Sequence, residues 1–210
     1  MTPEQAVTYA LREIDLRLQK HGRSNSQVGL PPVTHVTTEY QLLISDFACA
    51  PQQQQYADNY EQHLSDEQRA IYDAAVSAVR DEIQAICMID APAGTGKIFT
   101  ERVVAARLRS ENKFVAIVVS TGIAALQLPG GWTAHSTFKS PLEDANVSGC
   151  VVCNIAAESQ RAEVLPKSDL IIWDELPKTH RFSVEALDNT SRDITQTNRR
   201  SFGGKSILFS

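Results

Sequence analysis

A glycine-rich turn at residues 90–98 carries residue types that could bind a phosphate chain. Its sequence, DAPAGTGKI, is close to the P-loop pattern G-x-x-x-x-G-K-[ST]. Gly94 and Gly96 allow the backbone to curl so that successive N–H groups point at phosphate oxygens. Lys97 would add a mobile positive charge for the β- and γ-phosphates. The turn therefore predicts a nucleotide-binding loop, for ATP or GTP, that comprises Ala93, Gly94, Thr95, Gly96, Lys97 and Ile98.

The loop departs from this pattern at two positions. Ala91 replaces the first glycine, and Ile98 replaces the serine or threonine whose hydroxyl binds Mg²⁺. Isoleucine offers no oxygen, and Thr100, two residues further along the predicted helix, would lie on a different face. We therefore expect nucleotide binding through the loop backbone and Lys97, with strongly impaired hydrolysis.

Two adjacent acids follow an apolar run later in the chain. The run at residues 169–175 reads DLIIWDE and ends in Asp174 and Glu175. A buried strand that delivers this pair fits a Walker B element, in which Asp174 would hold Mg²⁺ and Glu175 would be the general base for the attacking water. Two solvated acids at a strand end are the alternative. Because α/β sheets bind ligands at the carboxyl ends of their strands, we expect the pair to face the phosphate loop from two strands away.

The elements around these motifs alternate between helix and strand. Ser65 and Gln68 form the S-x-x-Q pattern of a capping box, which predicts a helix over residues 66–83. Apolar runs at 85–90, 114–120 and 169–175 predict buried strands, and a second helix is expected from residue 97 to 110. This alternation predicts an α/β fold of the P-loop NTPase (RecA-like) class, with an incomplete parallel sheet and flanking helices.

The first part of the chain has a different character. Helical spacing predicts a helix over residues 3–20, and residues 21–40 are rich in Gly, Pro, Ser and Thr, which is typical of a linker. The stretch PQQQQYADNYEQH is polar and low in complexity. We place a domain boundary just before Leu64, giving an N-terminal helical and linker segment at 1–63 and a partial motor domain at 64–210.

Charge and cysteine content narrow the class of protein only slightly. The net charge of −5 gives no global positive field, although basic residues can be confined to one groove. Cys150 and Cys153 form a CxxC without a second pair of ligands, so two reduced thiols are favoured over a zinc site and an intracellular setting follows. Neither a membrane-spanning run nor a signal peptide is apparent, so we expect no membrane partner.

Four segments in fixed order resemble the PIF-type 5′-to-3′ DNA helicases of superfamily one. They are LSDEQRAIYDAA, APAGTGK, STGIAALQLPGGWTAHSTFKSP and DLIIWDELPKTHR. The likeness is greatest to the eukaryotic branch that includes Helitron transposon helicases, and it covers nearly the whole chain. It implies ATP-dependent DNA unwinding with Mg²⁺ as cofactor, in a nuclear protein of DNA repair, recombination, telomere maintenance or transposition.

The resemblance also implies roles for individual residues. Gln68 matches the glutamine that reads the adenine edge of ATP, and Lys97, Asp174 and Glu175 match the phosphate-loop lysine and the metal-and-base pair. The residues that match segments in contact with single-stranded DNA are Thr121, Gly122, Thr133, His135, Ser136, Phe138 and, through its charge, Lys139. Phe138 could stack on a base; a core position for Phe138 and a packing role for His135 are the alternatives.

Parts of the family pattern are not found in this sequence. A further strand with a Gly-Asp-x-x-Gln motif and a second motor domain with an arginine finger belong to that pattern, and such a finger supplies a large part of the rate. We therefore expect that the chain alone does not unwind DNA. The alternative function is a non-catalytic nucleotide- or DNA-binding remnant of a mobile element. A P-loop kinase or GTPase lacks support because no N-K-x-D motif occurs, and the oligomeric state is left open.

Overall fold

The computed structural model of the chain describes residues 7, 11, 14, 15, 18, 23–32, 51–125, 131–140, 151–155 and 164–210. The chain divides into two compact units, Met1–Asp46 and Phe47–Ser210. In the first unit, all the described positions within the predicted helix 3–20 are helical. A 3₁₀ helix, Asn25–Val28, follows. The buried Asn25 links the two, because its backbone N–H donates to Asp15 Oδ1 at 2.8 Å and its amide to the Leu11 carbonyl at 2.7 Å.

The second unit contains helices on both sides of a five-stranded sheet. Its α-helices are α1 (Pro51–Tyr60), α2 (Asp66–Arg80), α3 (Lys97–Ser110), α4 (Gly122–Ala125), α5 (Ala134–Phe138), α6 (Val164–Lys167) and α7 (Arg181–Thr195). Its strands are β1 (Ile86–Met88), β2 (Val115–Val119), β3 (Gly131–Thr133), β4 (Leu170–Asp174) and β5 (Ser206–Phe209). Short 3₁₀ helices occur at Glu61–His63, Leu176–Lys178 and Ser201–Gly204.

All neighbouring strands of the sheet are parallel, in the order β1-β5-β4-β2-β3. The predicted α/β fold with a parallel sheet is therefore confirmed, and β4 lies two strands from β1, as expected. Val119 pairs with both Asp174 and Thr133, and Phe209 pairs with Met88. This register brings the carboxyl ends of all five strands to one edge of the sheet, where such sheets bind ligands.

The core lies on both faces of the sheet because β2, β4 and β5 are buried along their whole length, as central parallel strands require. One face packs against α2 and α3, through a cluster that includes Tyr72, Val76, Val103, Val104, Leu108, Ile117, Ile172 and Leu208. The alternate strand positions point to the opposite face of the sheet. There Trp173 of β4 is fully buried, and its ring centre lies 6.5 Å from that of Phe138 and 6.3 Å from that of Phe209. Rigid strands thus hold the edge on which the motifs lie.

The glutamine-rich stretch before Leu64 forms a helix that sequence analysis did not predict. Helix α1 packs on α3: Ala57 is fully buried, Asp58 pairs with Arg107 at 2.8 Å, and Tyr60 meets Phe99 edge-on at 6.0 Å between ring centres. Glutamine has a good helix propensity and proline is favoured in the first turn. Tertiary packing stabilises a segment whose composition alone looked like a linker, and α1 belongs to the second unit.

The remaining sequence expectations concern thiols and membranes. Cys150 lies outside the described residues, whereas Cys153 is buried, and burial raises the pKa of its thiol to about 11. A thiol of this kind is inert at neutral pH. In the described part of the chain, no helix combines the length and the apolar character needed to cross a membrane.

Candidate functional site

The capping box at the start of α2 also contacts the phosphate loop. Ser65 Oγ accepts from the Gln68 backbone N–H at 3.3 Å, and Gln68 Oε1 accepts from the Ser65 N–H at 3.0 Å. The Gln68 amide then donates to the Thr95 carbonyl at 2.9 Å. Gln68 therefore ties α2 to the loop, which places its amide beside a candidate nucleotide site. Recognition of adenine by Gln68 stays a prediction; its side-chain amide keeps one N–H and one acceptor position beyond these two bonds.

The phosphate loop connects β1 to α3 and depends on two glycines in left-handed conformation. Gly94 has φ +83° and Gly96 has φ +84°, a region that costs other residues energy. A Cβ added to Gly96 would also lie 2.6 Å from the Gln68 amide nitrogen. Gly96 caps α3, so the loop ends where the first free N–H groups of that helix begin. This is the backbone arrangement that binds phosphate.

Lys97 is the cation of the loop. Its Nζ donates to the Ala91 carbonyl at 2.7 Å and to the Pro92 carbonyl at 3.4 Å. Both acceptors are neutral, whereas a phosphate oxygen carries the negative charge that an ammonium pairs with more strongly. A phosphate chain in the loop can therefore replace these contacts without disturbing other side chains.

A cavity of about 580 Å³ joins the phosphate loop to the acidic pair. It is lined by Ile89, Asp90, Ala91, Ala93, Gly94, Gly96, Lys97, Ile98, Asp174, Glu175, Pro177, Lys178 and Ser210. Its volume lies within the range of small-molecule sites. The structure therefore brings together Lys97, Asp174 and Glu175, which come from α3 and the end of β4, around one space.

Both acids of the pair are already engaged. Asp174 is buried, and its Oδ1 accepts from Ser210 Oγ and from the Glu175 N–H, each at 2.8 Å. Glu175 adopts a left-handed backbone conformation, with φ 59° and ψ 37°, which is uncommon for a residue with a side chain. Its Oε1 pairs with Lys178 Nζ at 2.5 Å, and its Oε2 accepts from Thr121 Oγ1 at 3.2 Å.

The first turn of α3 presents no hydroxyl to the cavity at position 98. Ile98 is half-buried, lines the cavity and packs against the core. Thr100 is buried, and its hydroxyl donates back to the Gly96 carbonyl at 3.2 Å. The geometry agrees with the expectation that Thr100 cannot take over the role of the missing hydroxyl.

Glu101 is a buried acid on α3 that sequence analysis missed, and it does not itself line the cavity. It is fully buried, and neither carboxylate oxygen has a hydrogen-bond partner among the described residues. Burial, followed by the charge of Asp174, raises the pKa of Glu101 to about 7, while the Ser210 hydroxyl and Lys97 act in the opposite direction. Its spacing of four residues from Lys97, in an otherwise apolar helix face, is the signal that could have revealed it.

The residues predicted to contact DNA lie farther along the same sheet edge. Gly122 is exposed at the start of α4, beside Thr121. Thr133 caps α5, where its Oγ1 accepts from the Ser136 N–H at 3.0 Å. His135 is exposed, with Nδ1 2.6 Å from the Ser140 carbonyl oxygen. Partly exposed Lys139 ends α5 with φ 52°.

Phe138 does not fit the predicted role in base stacking. Its ring is fully buried beside Trp173, so neither face is open to a base. The alternative, a core position, is the one observed, because the short helix α5 turns this residue inward against the sheet. In this conformation the Phe138 ring is not available to stack on a base.

The PIF1-like helicase family model matches residues 63–210, well over half of the chain. The chain belongs to the PIF1-like helicase family. The ATP-dependent DNA helicase PIF4 of Trypanosoma brucei brucei is 34% identical over 101 residues, which cover 48% of this chain and 12% of that protein.

Solved Pif1 structures share the fold. Bacteroides Pif1 bound to single-stranded DNA has a TM-score of 0.54 at 23% identity and is matched over 70% of this chain and 31% of its own. Bacteroides Pif1 in complex with ADP-AlF4 has a TM-score of 0.52 at 22% identity, and the match covers 70% of this chain and 31% of that chain. The Candida albicans Pif1 helicase has a TM-score of 0.52 at 24% identity, and the match covers 70% of this chain and 32% of that chain. This chain thus spans about a third of the length of the solved Pif1 chains and 12% of the length of the Trypanosoma PIF4 protein.

Proposed function

We propose that this chain forms the nucleotide-binding face of an ATP-dependent, 5′-to-3′ DNA helicase and one side of its single-stranded DNA track. The observation that carries this proposal is the cavity in which Lys97 and the glycine-rich loop face Asp174 and Glu175. The loop N–H groups and the start of α3 bind the phosphates, Lys97 neutralises their charge, and Gln68 contacts the base.

Magnesium fits only part of the donor set expected for it. The Asp174 carboxylate lines the cavity and suits a hard cation, whereas Ile98 supplies no oxygen. Burial and the charge of Asp174 raise the pKa of the nearby Glu101 carboxyl to about 7, so Asp174 is the acid that the cavity offers to the metal with its charge in place. When bound with ATP, Mg²⁺ would neutralise charge that develops on the phosphates. Glu175 would orient the attacking water and accept its proton.

The DNA-binding side of the proposal rests on the edge formed by β2 and β3. Thr121 and Ser136 provide hydroxyls and Lys139 a positive charge for phosphate oxygens. Thr121 also donates to Glu175 at 3.2 Å, and a hydroxyl has only one hydrogen to donate. A DNA phosphate that takes this hydrogen frees Glu175 Oε2, which links DNA binding to the general base.

Other features belong to the proposal for the whole protein. They are DNA unwinding with a second motor domain and its arginine finger, a nuclear location, roles in repair, recombination, telomere maintenance or transposition, and membership of the Helitron-like branch. The domain division at Leu64 is also a proposal, in which α1 packs against the motor domain it precedes.

A non-catalytic remnant that binds nucleotide or DNA is the second candidate. The isoleucine at position 98 favours it, because a site without the hydroxyl ligand retains the phosphate-binding backbone but loses part of its grip on the metal. The two candidates differ in whether Mg²⁺ strengthens nucleotide binding and whether DNA stimulates hydrolysis.

Titration with a fluorescent ATP analogue tests the proposed site. Lys97→Met should weaken binding roughly tenfold to a hundredfold, the equivalent of one charge-assisted hydrogen bond. Lys113→Met is the matched control, since Lys113 pairs with Asp169 at 3.9 Å beside the start of β4, at the opposite edge of the sheet. Equal affinity for the two variants would refute the site. Nucleotide binding that is indifferent to Mg²⁺, with no hydrolysis on single-stranded DNA, would favour the remnant.

A further inference from the structure

Lys178 is a second lysine on the wall of the cavity, and it comes from the turn after the acidic pair rather than from the phosphate loop. It ends the 3₁₀ helix Leu176–Lys178, whose first turn contains Pro177. The Lys178 backbone N–H donates to the Glu175 carbonyl at 3.0 Å, and the ring of Pro177 restricts the backbone between them. This turn positions the Lys178 side chain so that it lines the same cavity as Asp174 and Glu175.

The ion pair that Lys178 makes is open to solvent. Its Nζ lies 2.5 Å from Glu175 Oε1, and 61% of the Lys178 side chain is exposed. An exposed ion pair contributes little free energy, because water screens the attraction and both side chains lose rotational freedom. Lys178 can therefore exchange Glu175 for a stronger anion in the cavity at a small cost.

The charges around the cavity indicate what this anion is. In the described lining, three acids (Asp90, Asp174 and Glu175) occur with two lysines, Lys97 and Lys178. A phosphate chain brings further negative charge to this acidic wall, so each lysine lowers the electrostatic cost of binding it. Lys97 reaches the phosphates from the glycine-rich loop, whereas Lys178 faces them from beside the proposed general base.

We infer that Lys178 binds the terminal phosphate of a nucleoside triphosphate, and that this exchange releases Glu175 Oε1 for the attacking water. The inference rests on the proposed nucleotide site, and it makes Lys178 the residue that distinguishes a triphosphate from a diphosphate. A terminal phosphate carries more negative charge than one carboxylate and offers three acceptor oxygens, so it is the stronger partner for an ammonium. A diphosphate lacks this group and leaves Lys178 paired with Glu175.

The second oxygen of Glu175 is held by a different element. Thr121 Oγ1 donates to Glu175 Oε2 at 3.2 Å, and Thr121 belongs to the proposed DNA track. Lys178 and Thr121 thus each occupy one oxygen of the same carboxylate. A triphosphate removes the first partner and a DNA phosphate removes the second, so the general base becomes fully available when both ligands are bound.

The preference of the chain for a triphosphate over a diphosphate measures this role of Lys178. Isothermal titration calorimetry on the full chain gives the dissociation constants of ADP and of a non-hydrolysable ATP analogue, in EDTA so that no metal contributes. Lys178→Met should weaken binding of the ATP analogue about fivefold to tenfold, as expected for one exposed charge-assisted hydrogen bond, and change ADP binding less than about twofold. Lys178→Arg keeps the charge and should retain most of the preference.

Lys113→Met is the matched control for the loss of a lysine. Lys113 pairs with Asp169 at 3.9 Å, at the opposite edge of the sheet, so its replacement should leave both dissociation constants unchanged. Circular dichroism checks that each variant is folded. A loss of affinity that is equal for ADP and the ATP analogue in Lys178→Met, or no loss for either, would overturn the inference.

Replacement of Glu175 tests the exchange itself. Glu175→Gln removes the charge that holds Lys178 in the nucleotide-free chain, so Lys178 moves to the phosphate at a lower cost. The loss of ATP-analogue affinity caused by Lys178→Met should therefore be about twofold larger in the Glu175→Gln background than in the unaltered chain. An equal loss in the two backgrounds would contradict an exchange of Lys178 between Glu175 and the phosphate.

The same titrations distinguish failure of the inference from failure of the proposed function. If the unaltered chain binds neither ADP nor the ATP analogue, the proposed function is wrong and the inference is wrong with it. If both nucleotides bind, Lys97→Met weakens both of them and Lys178→Met leaves their ratio unchanged, the proposed site is supported and the inference alone is wrong.

Discussion

Replacing Ile98 by threonine restores a hydroxyl to the first turn of α3. Ile98 lines the cavity beside Lys97 and faces the space in front of Asp174. An oxygen placed there can bind the cation of a metal–nucleotide complex. We expect Ile98→Thr to strengthen the Mg²⁺-dependent part of ATP binding and to raise hydrolysis.

The size of this effect follows from the partners involved. A contact between a hydroxyl and a charged group contributes about 1.5–3 kcal/mol, which corresponds to roughly tenfold to a hundredfold in affinity. The side chain of Ile98 is only half-buried and packs against the core, so its loss should cost on the order of 1–2 kcal/mol of folding stability. The gain in metal affinity and the loss of stability are therefore measured separately.

The assay is the ratio of the dissociation constants of a fluorescent ATP analogue in EDTA and in Mg²⁺. Ile98→Val is the control, because valine has the shape of threonine without its hydroxyl. The ratio should rise in Ile98→Thr relative to Ile98→Val, while urea unfolding should show a loss of stability for both. Equal ratios for the two variants would refute the reasoning, and so would rapid DNA-stimulated ATP hydrolysis by the unaltered chain.

Three further predictions concern the elements that hold the site. Gln68→Ala removes the side-chain half of the capping box and the bond to Thr95 but keeps the Ser65 cap. Urea unfolding should show a loss of about 1 kcal/mol together with weaker nucleotide binding, and unchanged stability would contradict this. Burial raises the pKa of Glu61, but hydrogen bonds from Arg107 and Tyr72 together lower it by more, so the pKa of Glu61 lies below its usual value of 4.5. The ionised Glu61 carboxylate therefore stabilises the fold above pH 4.5, and this stabilisation is lost as pH falls through the lowered pKa. Glu61→Gln should be less stable than the unaltered chain at pH 7, and the difference in unfolding free energy should shrink in acid. A difference that does not change with pH would contradict this prediction. Phe138→Ala should cost about 3–5 kcal/mol without a specific loss of DNA affinity in the folded fraction, whereas a large DNA effect at nearly unchanged stability would restore the stacking role.

Local sequence patterns predicted the parts of the fold that depend on neighbours along the chain. The capping box of Ser65 and Gln68, the buried strands β2 and β4, and the helix that begins at Lys97 all formed as expected. The same patterns located the two halves of the cavity, because a glycine turn after a strand and acids at a strand end both occupy the carboxyl edge of a parallel sheet.

Features that depend on contacts across the sheet could not be predicted in this way. Strand β3 has three residues and no alternation, so only its pairing with β2 defines it. The burial of Phe138 depends on Trp173 of β4, and the helical state of α1 depends on Arg107 and Phe99 of α3. The proximity of Glu101 to Asp174 likewise arises only when α3 packs on the sheet.

The central claim is that the phosphate loop and the acidic pair bind one metal–nucleotide complex between them. Electron–nuclear double resonance of Mn²⁺ with a non-hydrolysable ATP analogue tests it by detecting ³¹P nuclei bound directly beside the metal. We predict a ³¹P coupling in the complex of the unaltered chain, with the protein-bound signal strongly reduced by Asp174→Asn and by Lys97→Met. Protein-bound Mn²⁺ without a ³¹P coupling, or a complex that is insensitive to both substitutions, would contradict the account.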